Sequence, residues 1–320
     1  MKFYLAPLEG ITGYIYRNAY QKYFHNIDKY FTPFITPHTN RCLNSREKND
    51  ILPEHNRGMK VVPQVLTNCA EDFIKIGKTL QEYGYKEINL NLGCPSGTVV
   101  SKKRGSGFLA YPKELEQFLE EVFEKLDMKI SIKTRIGKDE PEEWENILGI
   151  YNKFPLEELI IHPRVQVDYY KNEPNWQAYG YAVDKSRSPL CYNGNIFTKS
   201  DYEKLLQKFP HTQAVMLGRG VIANPQLITM LQSGDIGADK EKIKAFHDEI
   251  CSGYTQSFSG DRNVLFKMKE LWFYMEKIFQ DSEKYRKKIR KCQSLSQYQR
   301  IIDSLFIEKE IIAGKGFEDS

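Results

Sequence analysis

The chain has 320 residues, of which 41% are hydrophobic and 28% are charged. This composition excludes collagen-like, low-complexity and intrinsically disordered proteins. The formal net charge is only +4, from 46 basic and 42 acidic residues, so the overall charge does not by itself indicate a polyanionic partner. The length suits two ordinary domains, or one large α/β barrel followed by a smaller domain.

The six cysteines contain no C-x-x-C pair and no dense spacing, which argues against a disulfide scaffold and against a structural zinc site. We therefore expect reduced thiols and no metal. The first residues include no apolar signal-peptide segment, and no stretch approaches the roughly 18 apolar residues of a membrane-spanning helix. The sequence thus predicts a cytoplasmic protein without a membrane partner. No feature of the sequence demands assembly, so we expect a monomer.

Eight short runs rich in β-branched and aromatic residues alternate with segments whose apolar residues recur at helical spacing. This alternation is typical of a parallel sheet wrapped by helices. Eight strands within roughly 230 residues predict a (β/α)8 TIM barrel, an α/β fold. The predicted strands are Phe3–Leu5, Tyr30–Phe34, Val61–Val65, Glu87–Asn91, Lys129–Thr134, Leu159–Ile161, Leu190–Asn193 and Ala214–Leu217.

Helical signals lie between these strands and dominate the end of the chain. Ser200 and Glu203 have the spacing of a capping box and predict a helix start. After about residue 235 the strand pattern stops, and apolar periodicity predicts helices. We therefore predict a barrel over 1–235, an all-α C-terminal domain over 236–310 and a flexible tail over 311–320. The predicted C-terminal helices cover Ile243–Tyr254, Val264–Phe279 and Tyr298–Phe306.

Polar residues follow most of the predicted strands. In a TIM barrel the active site is built at the carboxyl ends of the strands, so these residues are the candidates for chemistry. Lys133 and His162 end two otherwise apolar strands. The alternative is structural: a buried ion pair for Lys133 and a hydrogen-bonded core histidine for His162. The concentration of polar groups at the strand ends favours the functional interpretation.

Glycines follow the seventh and eighth strands, at Gly194 and at Gly218 and Gly220. Many barrels hold a phosphate at this place on backbone N–H groups, and glycine permits the close approach. Arg219 adds a positive charge between the last two glycines. A glycine after a strand is more often only a turn, but together these residues favour a phosphorylated ligand such as FMN.

One motif is specific enough to suggest a family. The run Asn91-Leu92-Gly93-Cys94-Pro95, followed by Gly105-Ser106-Gly107, resembles the signature of the tRNA-dihydrouridine synthase family of flavoenzymes. Further motifs resemble the same family in its order along the chain, and the likeness covers nearly all of the sequence. They are Ala6-Pro7-Leu8-Glu9-Gly10, Gln64, Lys133-Thr134-Arg135, His162-Pro163-Arg164, Asn193-Gly194-Asn195 and Gly218-Arg219-Gly220.

The resemblance implies a flavin-dependent reduction of RNA. Members of this family bind FMN, accept a hydride from NAD(P)H, and reduce the C5–C6 double bond of specific uridines in tRNA. By similarity, the hydride passes from reduced FMN to C6, and the cysteine that matches Cys94 protonates C5. Such an addition develops negative charge at C5 and O4, and a thiol with a pKa near 8.5 is still protonated at neutral pH.

The alternative for Cys94 is a small buried hydrophobic side chain, as most free cysteines are. Its place directly after Asn91 and Gly93, and before a glycine-rich loop, favours catalysis. The family's cofactor residues imply FMN contacts at Ala6, Pro7, Leu8, Gln64, Lys133, His162, Asn193, Gly194, Asn195, Gly218 and Arg219. The substrate-binding residues implied or favoured here are Asn91, Lys102, Arg135, Arg164, Tyr170, Lys287, Lys288 and Arg290.

The last three of these belong to a basic run. From Lys284 to Arg300 the chain carries seven lysines and arginines and no acidic residue. Such a run binds phosphates in a salt-dependent manner, although many charge runs are only solvated surfaces. Its place in the predicted helical domain, which in the similar family contacts tRNA, favours RNA.

Two other functions remain open from the sequence. One is an FMN-dependent reductase or dehydrogenase of a small molecule, similar to dihydroorotate dehydrogenase, which would not require a basic helical domain. The other is a catalytically silent RNA-binding protein that keeps the barrel as a scaffold. The presence of Cys94, Lys133 and His162 together argues against the silent protein.

Overall fold

The computed structural model describes residues 1–317 and contains one parallel sheet. Its strands run in the spatial order β3-β2-β1-β9-β8-β7-β6-β5-β4. The strands are β1 (Lys2–Leu5), β2 (Lys29–Phe31), β3 (Val61–Val62), β4 (Gln64–Val65), β5 (Glu87–Leu92), β6 (Lys129–Gly137), β7 (Glu158–Val165), β8 (Leu190–Tyr192) and β9 (Ala214–Leu217).

The two edge strands of this sheet, β3 and β4, are one strand interrupted at Pro63. Proline has no backbone N–H and cannot donate to the ladder, which explains the interruption. Its carbonyl still accepts a hydrogen bond from Asn89 N at 2.9 Å. The sheet therefore closes on itself as an eight-stranded barrel, and the predicted TIM-barrel fold is confirmed.

The central strands are buried on both faces. In β5, Ile88, Leu90 and Leu92 alternate with Asn89 and Asn91, and all five are buried. Successive side chains of a strand point to opposite faces, so the apolar and the polar residues lie on different sides of the sheet. This pattern places a polar set of side chains on one side of the barrel wall.

Fourteen α-helices and four short 3-10 segments accompany the strands within residues 1–317. The helices are α1 (Tyr14–Tyr23), α2 (Ser45–Ile51), α3 (Ala70–Glu82), α4 (Gly97–Val100), α5 (Pro112–Lys125), α6 (Glu143–Tyr151), α7 (Trp176–Lys185), α8 (Lys199–Lys208), α9 (Arg219–Ala223), α10 (Leu227–Ser233), α11 (Lys240–Ser257), α12 (Asp261–Met275), α13 (Glu283–Lys291) and α14 (Leu295–Glu308). The 3-10 segments are Pro53–His55, Gly105–Ala110, Gln166–Asp168 and Glu276–Ile278.

The predicted capping box of α8 is wrong by two residues. The side chain of Asp201 accepts hydrogen bonds from Thr198 N at 2.9 Å, and Asp201 N donates to Thr198 Oγ1 at 3.2 Å. Glu203 instead lies on the exposed side of α8 and pairs with Lys199 at 3.7 Å. Thr198 with Asp201 has the same spacing as Ser200 with Glu203, and either pair can form a capping box. The sequence therefore offered two overlapping candidates for the start of α8.

The chain divides into two compact units, each made of separate segments. The first contains the barrel strands and comprises Met1–Pro7, Asp28–Asn195 and Phe209–Met216. The second comprises Leu8–Ile27, Ile196–Lys208 and the described residues from Leu217 onward. This division into units does not test the predicted domain boundaries, which stay predictions.

The C-terminal helices α11 to α14 all lie in the second unit. Of the predicted tail, Phe317 is buried and contacts Phe197 and Tyr274 with ring centroids 5.5 Å apart. Residues 318–320 lie outside the described part of the chain. Over residues 1–317, no helix combines the length and the apolar character needed to cross a membrane.

Candidate active site

A chain of amide hydrogen bonds crosses three neighbouring strands at the predicted site. Asn91 Nδ2 donates to Gln64 Oε1 at 2.7 Å, and Gln64 Nε2 donates to Asn89 Oδ1 at 2.8 Å. Asn89 Nδ2 then donates to Ser131 Oγ at 2.9 Å. Because each amide has one donor and one acceptor end, this chain fixes the orientation of all three amides. Gln64, a predicted cofactor residue, and Asn91, a predicted substrate residue, are thus in direct contact.

The same asparagine holds the loop that carries Cys94. Asn91 Oδ1 accepts hydrogen bonds from the backbone N–H groups of Gly93 and Cys94, both at 3.0 Å. On the other side of the loop, Ser106 Oγ donates to Cys94 O at 2.8 Å. These bonds fix the backbone of Cys94 through both its amide and its carbonyl.

Gly105 allows the following segment to approach Cys94 closely. Its φ is +57°, and a Cβ added there would lie 2.8 Å from Cys94 O and 3.1 Å from Cys94 Cβ. Both distances are shorter than ordinary contacts, and a positive φ also disfavours other residues. The glycine that follows the cysteine motif therefore has a direct steric role at the site.

The environment of Cys94 keeps its thiol protonated. Burial raises the pKa of the Cys94 thiol above its ordinary value, while a hydrogen bond from the Ser96 backbone and the charges of Lys133 and Arg135 oppose this rise only in part. The side chain remains half-buried. A thiol in this state can donate a proton at neutral pH, and it is not predisposed to act as a thiolate nucleophile.

Lys133 is a cation without a counter-charge in the described part of the chain. It lies on β6 in register with Asn91, next to the amide chain. Within residues 1–317 its ammonium group has no hydrogen bond and no ion pair. Burial and the neighbouring Arg135 charge lower the pKa of Lys133 to about 8. A half-buried ammonium group left in this state fits an anionic or electron-rich ligand, which would restore the missing counter-charge.

Arg135, predicted to bind substrate, is fully buried and donates to three backbone carbonyls. Its Nε donates to Gly93 O at 3.0 Å, one Nη to Val165 O at 2.8 Å and the other to Tyr169 O at 2.7 Å. The guanidinium group also lies 5.4 Å from the centre of the Tyr170 ring. In this arrangement Arg135 joins the cysteine loop to the segment that follows β7.

His162 and Arg164 lie on the same face of β7 and contact each other. Arg164 Nη1 lies 2.9 Å from His162 Nε2 and donates to Asn195 Oδ1 at 3.2 Å. Since arginine can only donate, His162 Nε2 is the acceptor and the ring proton lies on Nδ1. Two predicted flavin residues, His162 and Asn195, are thus linked through a predicted substrate residue.

The segment after β8 contributes Asn193 and Gly194. Asn193 Nδ2 donates to Met216 O at 2.9 Å, which fixes its amide. Gly194 lies against the ring of Tyr192, whose Cζ would be 2.5 Å from an added Cβ. The glycine is therefore required by the packing of Tyr192, whether or not a phosphate also approaches its backbone.

The predicted residues at the end of β1 differ in exposure. Ala6 is buried and Pro7 is half-buried. Leu8, in the second unit, begins a tight loop in which its N–H donates to Thr12 Oγ1 at 2.8 Å and its carbonyl accepts from Ile11 N at 3.1 Å. In the part of the chain that the structure describes, the loop is further held by Lys267 Nζ, which donates to Gly10 O at 2.7 Å.

Gly218 and Arg219 also lie in the second unit. Gly218 is the residue before α9, and its carbonyl accepts from Val221 N at 3.1 Å. The Arg219 guanidinium lies 5.2 Å from the ring centres of both Phe197 and Phe317. Cation–π contacts of this kind orient the guanidinium group.

Tyr170 and Trp176 have different environments. Tyr170 is 44% exposed, with its ring 5.9 Å from that of His162. Trp176 instead stacks between Tyr192 and Phe209 at centroid distances of 5.7 and 5.9 Å. Trp176 therefore packs within the first unit, whereas Tyr170 and the exposed Lys102 remain accessible.

The basic run forms a helix that the apolar periodicity of the sequence did not predict. In α13, Tyr285 and Ile289 are buried, while Lys287, Lys288 and Arg290 are exposed. Two apolar residues four positions apart are enough to hold one face of a short helix, but they give a weak pattern. The predicted phosphate-binding cations thus share the exposed side of α13.

Sequence reasoning placed Asn89 among the polar residues at the strand ends without giving it a role, and it missed Ser131. Both lie two residues before a predicted site residue, Asn91 and Lys133, in the same strand. Since residues i and i+2 of a strand share a face, the pairs Asn-x-Asn and Ser-x-Lys were the available signal. Their role is to orient Gln64 and, through it, Asn91.

The chain is similar in sequence to known proteins. The family model described as Dihydrouridine synthase (Dus) matches residues 4–310. The tRNA-dihydrouridine synthase B of Pasteurella multocida is 26% identical over 72% of this chain and 69% of that protein. The tRNA-dihydrouridine(16) synthase of Pseudomonas putida is 27% identical over 78% of each chain.

A solved structure supports the fold alone. Histamine dehydrogenase from Rhizobium sp. 4-9 superposes with a TM-score of 0.54 at 11% identity, covering 78% of this chain and 49% of that one. The match of the family model spans the barrel strands, the cysteine loop and the C-terminal helices. The chain therefore belongs to the dihydrouridine synthase family.

Proposed function

We propose that this protein is an oxidoreductase that reduces the C5–C6 double bond of specific uridines in tRNA to 5,6-dihydrouridine. The observation that carries the proposal is the cysteine loop: Cys94 is fixed through its amide and its carbonyl, and burial keeps its thiol protonated. The relatives named as tRNA-dihydrouridine synthases support the same reaction.

The proposed cofactor is FMN, reduced by NAD(P)H. When bound, it would supply the hydride that adds to C6 of uracil, chemistry that no amino-acid side chain provides. The residues present fit such a group because Lys133 is a half-buried cation with no counter-charge among the described residues. Lys133 would stabilise the negative charge that a flavin ring gains on reduction.

Other residues of the chain would complete the cofactor site. His162 contacts Arg164, and by the resemblance to the family its imidazole would contact the cofactor. The side-chain amide of Gln64, which would contact the cofactor, is oriented by its hydrogen bonds with Asn89 and Asn91. Ala6, Pro7, Leu8, Asn193, Gly194, Asn195, Gly218 and Arg219 stay predicted cofactor residues by the resemblance to the family.

Cys94 would act as the general acid. Addition of hydride at C6 leaves negative charge shared between C5 and O4 of the uracil, and a proton must then reach C5. The raised pKa of the Cys94 thiol ensures that the proton is present at neutral pH. The amide of Asn91, fixed by Gln64, would orient both the loop and the target base.

The RNA would be bound through its phosphates and its displaced base. Lys287, Lys288 and Arg290 on α13, and Lys102 after the cysteine loop, are exposed cations. A base inside a folded RNA does not present C5 and C6 to a catalytic group, so the target uridine must leave its stack. Tyr170 would contact the displaced base. We further propose that the enzyme is monomeric and cytoplasmic, which suits a tRNA substrate.

The experiment compares wild-type protein, Cys94→Ala and Cys69→Ala with NADPH and tRNA that lacks dihydrouridine. Dihydrouridine is mapped by position, and bound flavin is recorded from the same samples. We expect Cys94→Ala to keep its flavin and to lose turnover by about 10²-fold or more, the usual contribution of a general acid. Cys69 is an exposed cysteine, so Cys69→Ala should retain full turnover.

Two results would contradict the proposal. A bound, reducible flavin without any dihydrouridine would favour a small-molecule reductase, and a colourless protein that binds tRNA would favour a silent RNA-binding protein. Undiminished turnover in Cys94→Ala would remove Cys94 from the mechanism.

A further inference from the structure

Two phenylalanines are exposed on one face of α12. Phe266 is 66% exposed and Phe273 is 53% exposed. They are seven residues apart, which is close to two helical turns, so they point to the same side about 10.5 Å apart along the axis. Single exposed apolar residues are ordinary, but two large aromatic rings aligned on one helix face form a surface feature.

These rings are not needed to fix the helix. The opposite face of α12 buries Val264, Leu265, Met268, Leu271, Trp272 and Met275. This apolar face already holds α12 within the second unit. The two rings lie on the other side of α12, where more than half of each is exposed, although Phe273 also contacts the Tyr274 ring at 5.1 Å.

Cations accompany the rings on the same face. Arg262, which is exposed, lies one turn before Phe266. Lys269 lies between the two rings, and its Nζ donates to Arg290 O at 3.2 Å and to Cys292 O at 2.7 Å. These bonds tie the aromatic face of α12 to the C-terminal end of α13.

The nearby acidic group is already neutralised. The carboxylate of Glu270 pairs with Lys267 at 3.5 Å, and the same lysine lies 5.9 Å from the Phe266 ring centre. No uncompensated negative charge from Glu270 therefore opposes an anion at this face.

The charge of this region differs from that of the rest of the chain. Residues 261–291 carry ten basic and five acidic side chains, a net charge of +5, whereas the whole chain carries only +4. The positive charge of the protein is therefore concentrated in α12, α13 and the segment that joins them. Such a surface attracts a polyanion.

We propose that Phe266 and Phe273 are stacking platforms for unpaired bases of the RNA substrate, whose phosphates contact Arg262 and the lysines of α13. Proteins that bind single-stranded nucleic acid combine aromatic rings, on which bases stack, with cations that follow the backbone. An apolar protein partner would use the rings but not the surrounding cations. This inference rests on the proposed function, because it takes tRNA as the partner.

The test measures the affinity of unmodified tRNA over a range of salt concentrations for four proteins: wild type, Phe266→Ala/Phe273→Ala, Phe266→Trp/Phe273→Trp and Ile307→Ala. Ile307 is an 80% exposed apolar residue of α14 and serves as the control. Loss of base stacking should weaken binding about tenfold or more in the alanine variant. The tryptophan variant and the control should bind as the wild type does.

Two further measurements identify base stacking as the cause of the lost tRNA affinity. The alanine variant should keep the wild-type slope of affinity against salt, because no charge is removed, whereas Lys287→Ala/Lys288→Ala should reduce that slope by about one to two. A single-stranded RNA oligonucleotide should compete with tRNA at these rings better than a duplex of the same length, because a duplex does not present the faces of its bases.

Several outcomes would overturn the inference. One is equal tRNA affinity for the alanine variant and the wild type, and another is an equal loss in Ile307→Ala. A wild-type dimer that the alanine variant abolishes would assign the face to a second copy. Dihydrouridine formation with normal tRNA affinity in the alanine variant would refute this inference alone, whereas tRNA binding without any product would count only against the proposed function.

Discussion

Two lysines on the barrel strands, Lys29 and Lys133, have opposite electrostatic environments. Lys29 on β2 is 3.1 Å from Glu87 and 3.3 Å from Glu158, and Tyr4 also donates to Glu158 at 2.7 Å. Burial alone would lower the pKa of Lys29, but the two carboxylates outweigh it and raise that pKa. Among residues 1–317, Lys133 on β6 has no carboxylate partner, and burial with the Arg135 charge lowers its pKa to about 8.

The difference separates a charge that is balanced within the chain from one that we propose is balanced by a ligand. The charge of Lys29 is balanced within the chain, so that cluster is complete without a ligand. Lys133 is destabilised as a cation in the protein alone, and a protein retains such a group when a ligand restores the balance. Lys133, a half-buried cation with no counter-charge among residues 1–317, is therefore our proposed ligand-binding lysine.

The largest expected effect concerns stability at the balanced lysine. Lys29→Met leaves Glu87 and Glu158 buried without a cation, and removal of one partner of a buried pair costs about 3–5 kcal/mol. We expect a fall of that order in the free energy of unfolding, measured by urea denaturation. Lys133→Met removes an unpaired charge and should leave the free energy of unfolding equal or higher; equal losses in both variants would refute the contrast.

The next effect concerns activity at the unbalanced lysine. Lys133→Met removes the cation proposed to stabilise negative charge on the reduced cofactor, and a single electrostatic group of this kind contributes about 10²-fold or more to turnover. We expect dihydrouridine formation to fall by that factor, with flavin binding weakened. Lys133→Arg, which keeps the charge, should recover part of the loss; identical rates for the two variants would exclude a role of the charge.

A smaller effect should appear in the pH dependence of stability without a ligand. Because the folded pKa of Lys133 is about 8 and the unfolded value is near 10.5, the unfolded chain binds more protons between these values. Stability therefore rises with pH through this window. We expect the free energy of unfolding of the wild type, relative to Lys133→Met, to rise by about 1–2 kcal/mol from pH 7 to pH 10.

The control for that measurement is the ligand. With reduced FMN bound, the negative charge of the reduced flavin ring should balance Lys133, and the rise should shrink. A difference between wild type and Lys133→Met that does not change with pH would contradict the depressed pKa. Urea unfolding of wild type and Lys133→Met is measured at each pH. The difference between their free energies of unfolding removes the contribution of the tyrosines, which titrate in both proteins.

The contrast between the two lysines was only half visible in the sequence. Lys133 ends an apolar run and so was predicted as a site residue. Lys29 meets partners that are 58 and 129 residues away, and no local pattern reports such distances. The strands themselves were predictable because their apolar residues occur in continuous buried runs.

The boundaries of the strands show where the local pattern fails. We predicted that β6 ends at Thr134 and β7 at Ile161, but they continue to Gly137 and Val165. Arg135, His162 and Arg164 are therefore strand residues that face a polar partner, not residues of loops. A polar residue after an apolar run can mean that the strand has ended, or that a strand residue faces the polar side of the barrel. Only the barrel geometry distinguishes the two.

The smallest expected effect tests how finely the cysteine loop is positioned. Gly105 and Gly58 both have a positive φ, of +57° and +72°, so alanine at either position is strained by about 1 kcal/mol. A Cβ at Gly105 would press on Cys94 O at 2.8 Å, whereas nothing lies within 4 Å of a Cβ at Gly58. We therefore expect a larger loss of stability in Gly105→Ala than in Gly58→Ala, and a fall of turnover, by several-fold or more, only in Gly105→Ala.

Turnover and the free energy of unfolding of the two glycine variants separate strain from position. If position of the thiol matters, Gly105→Ala loses activity beyond what its stability explains, because a displacement of a few tenths of an ångström misplaces a proton donor. Equal turnover in the two variants would show that the loop tolerates this movement. The catalytic contribution of Cys94 would then depend on its protonation state alone, as the proposed contribution of Lys133 depends on its missing counter-charge. The hydrogen bonds from Asn91 and Ser106 to the cysteine loop would serve folding.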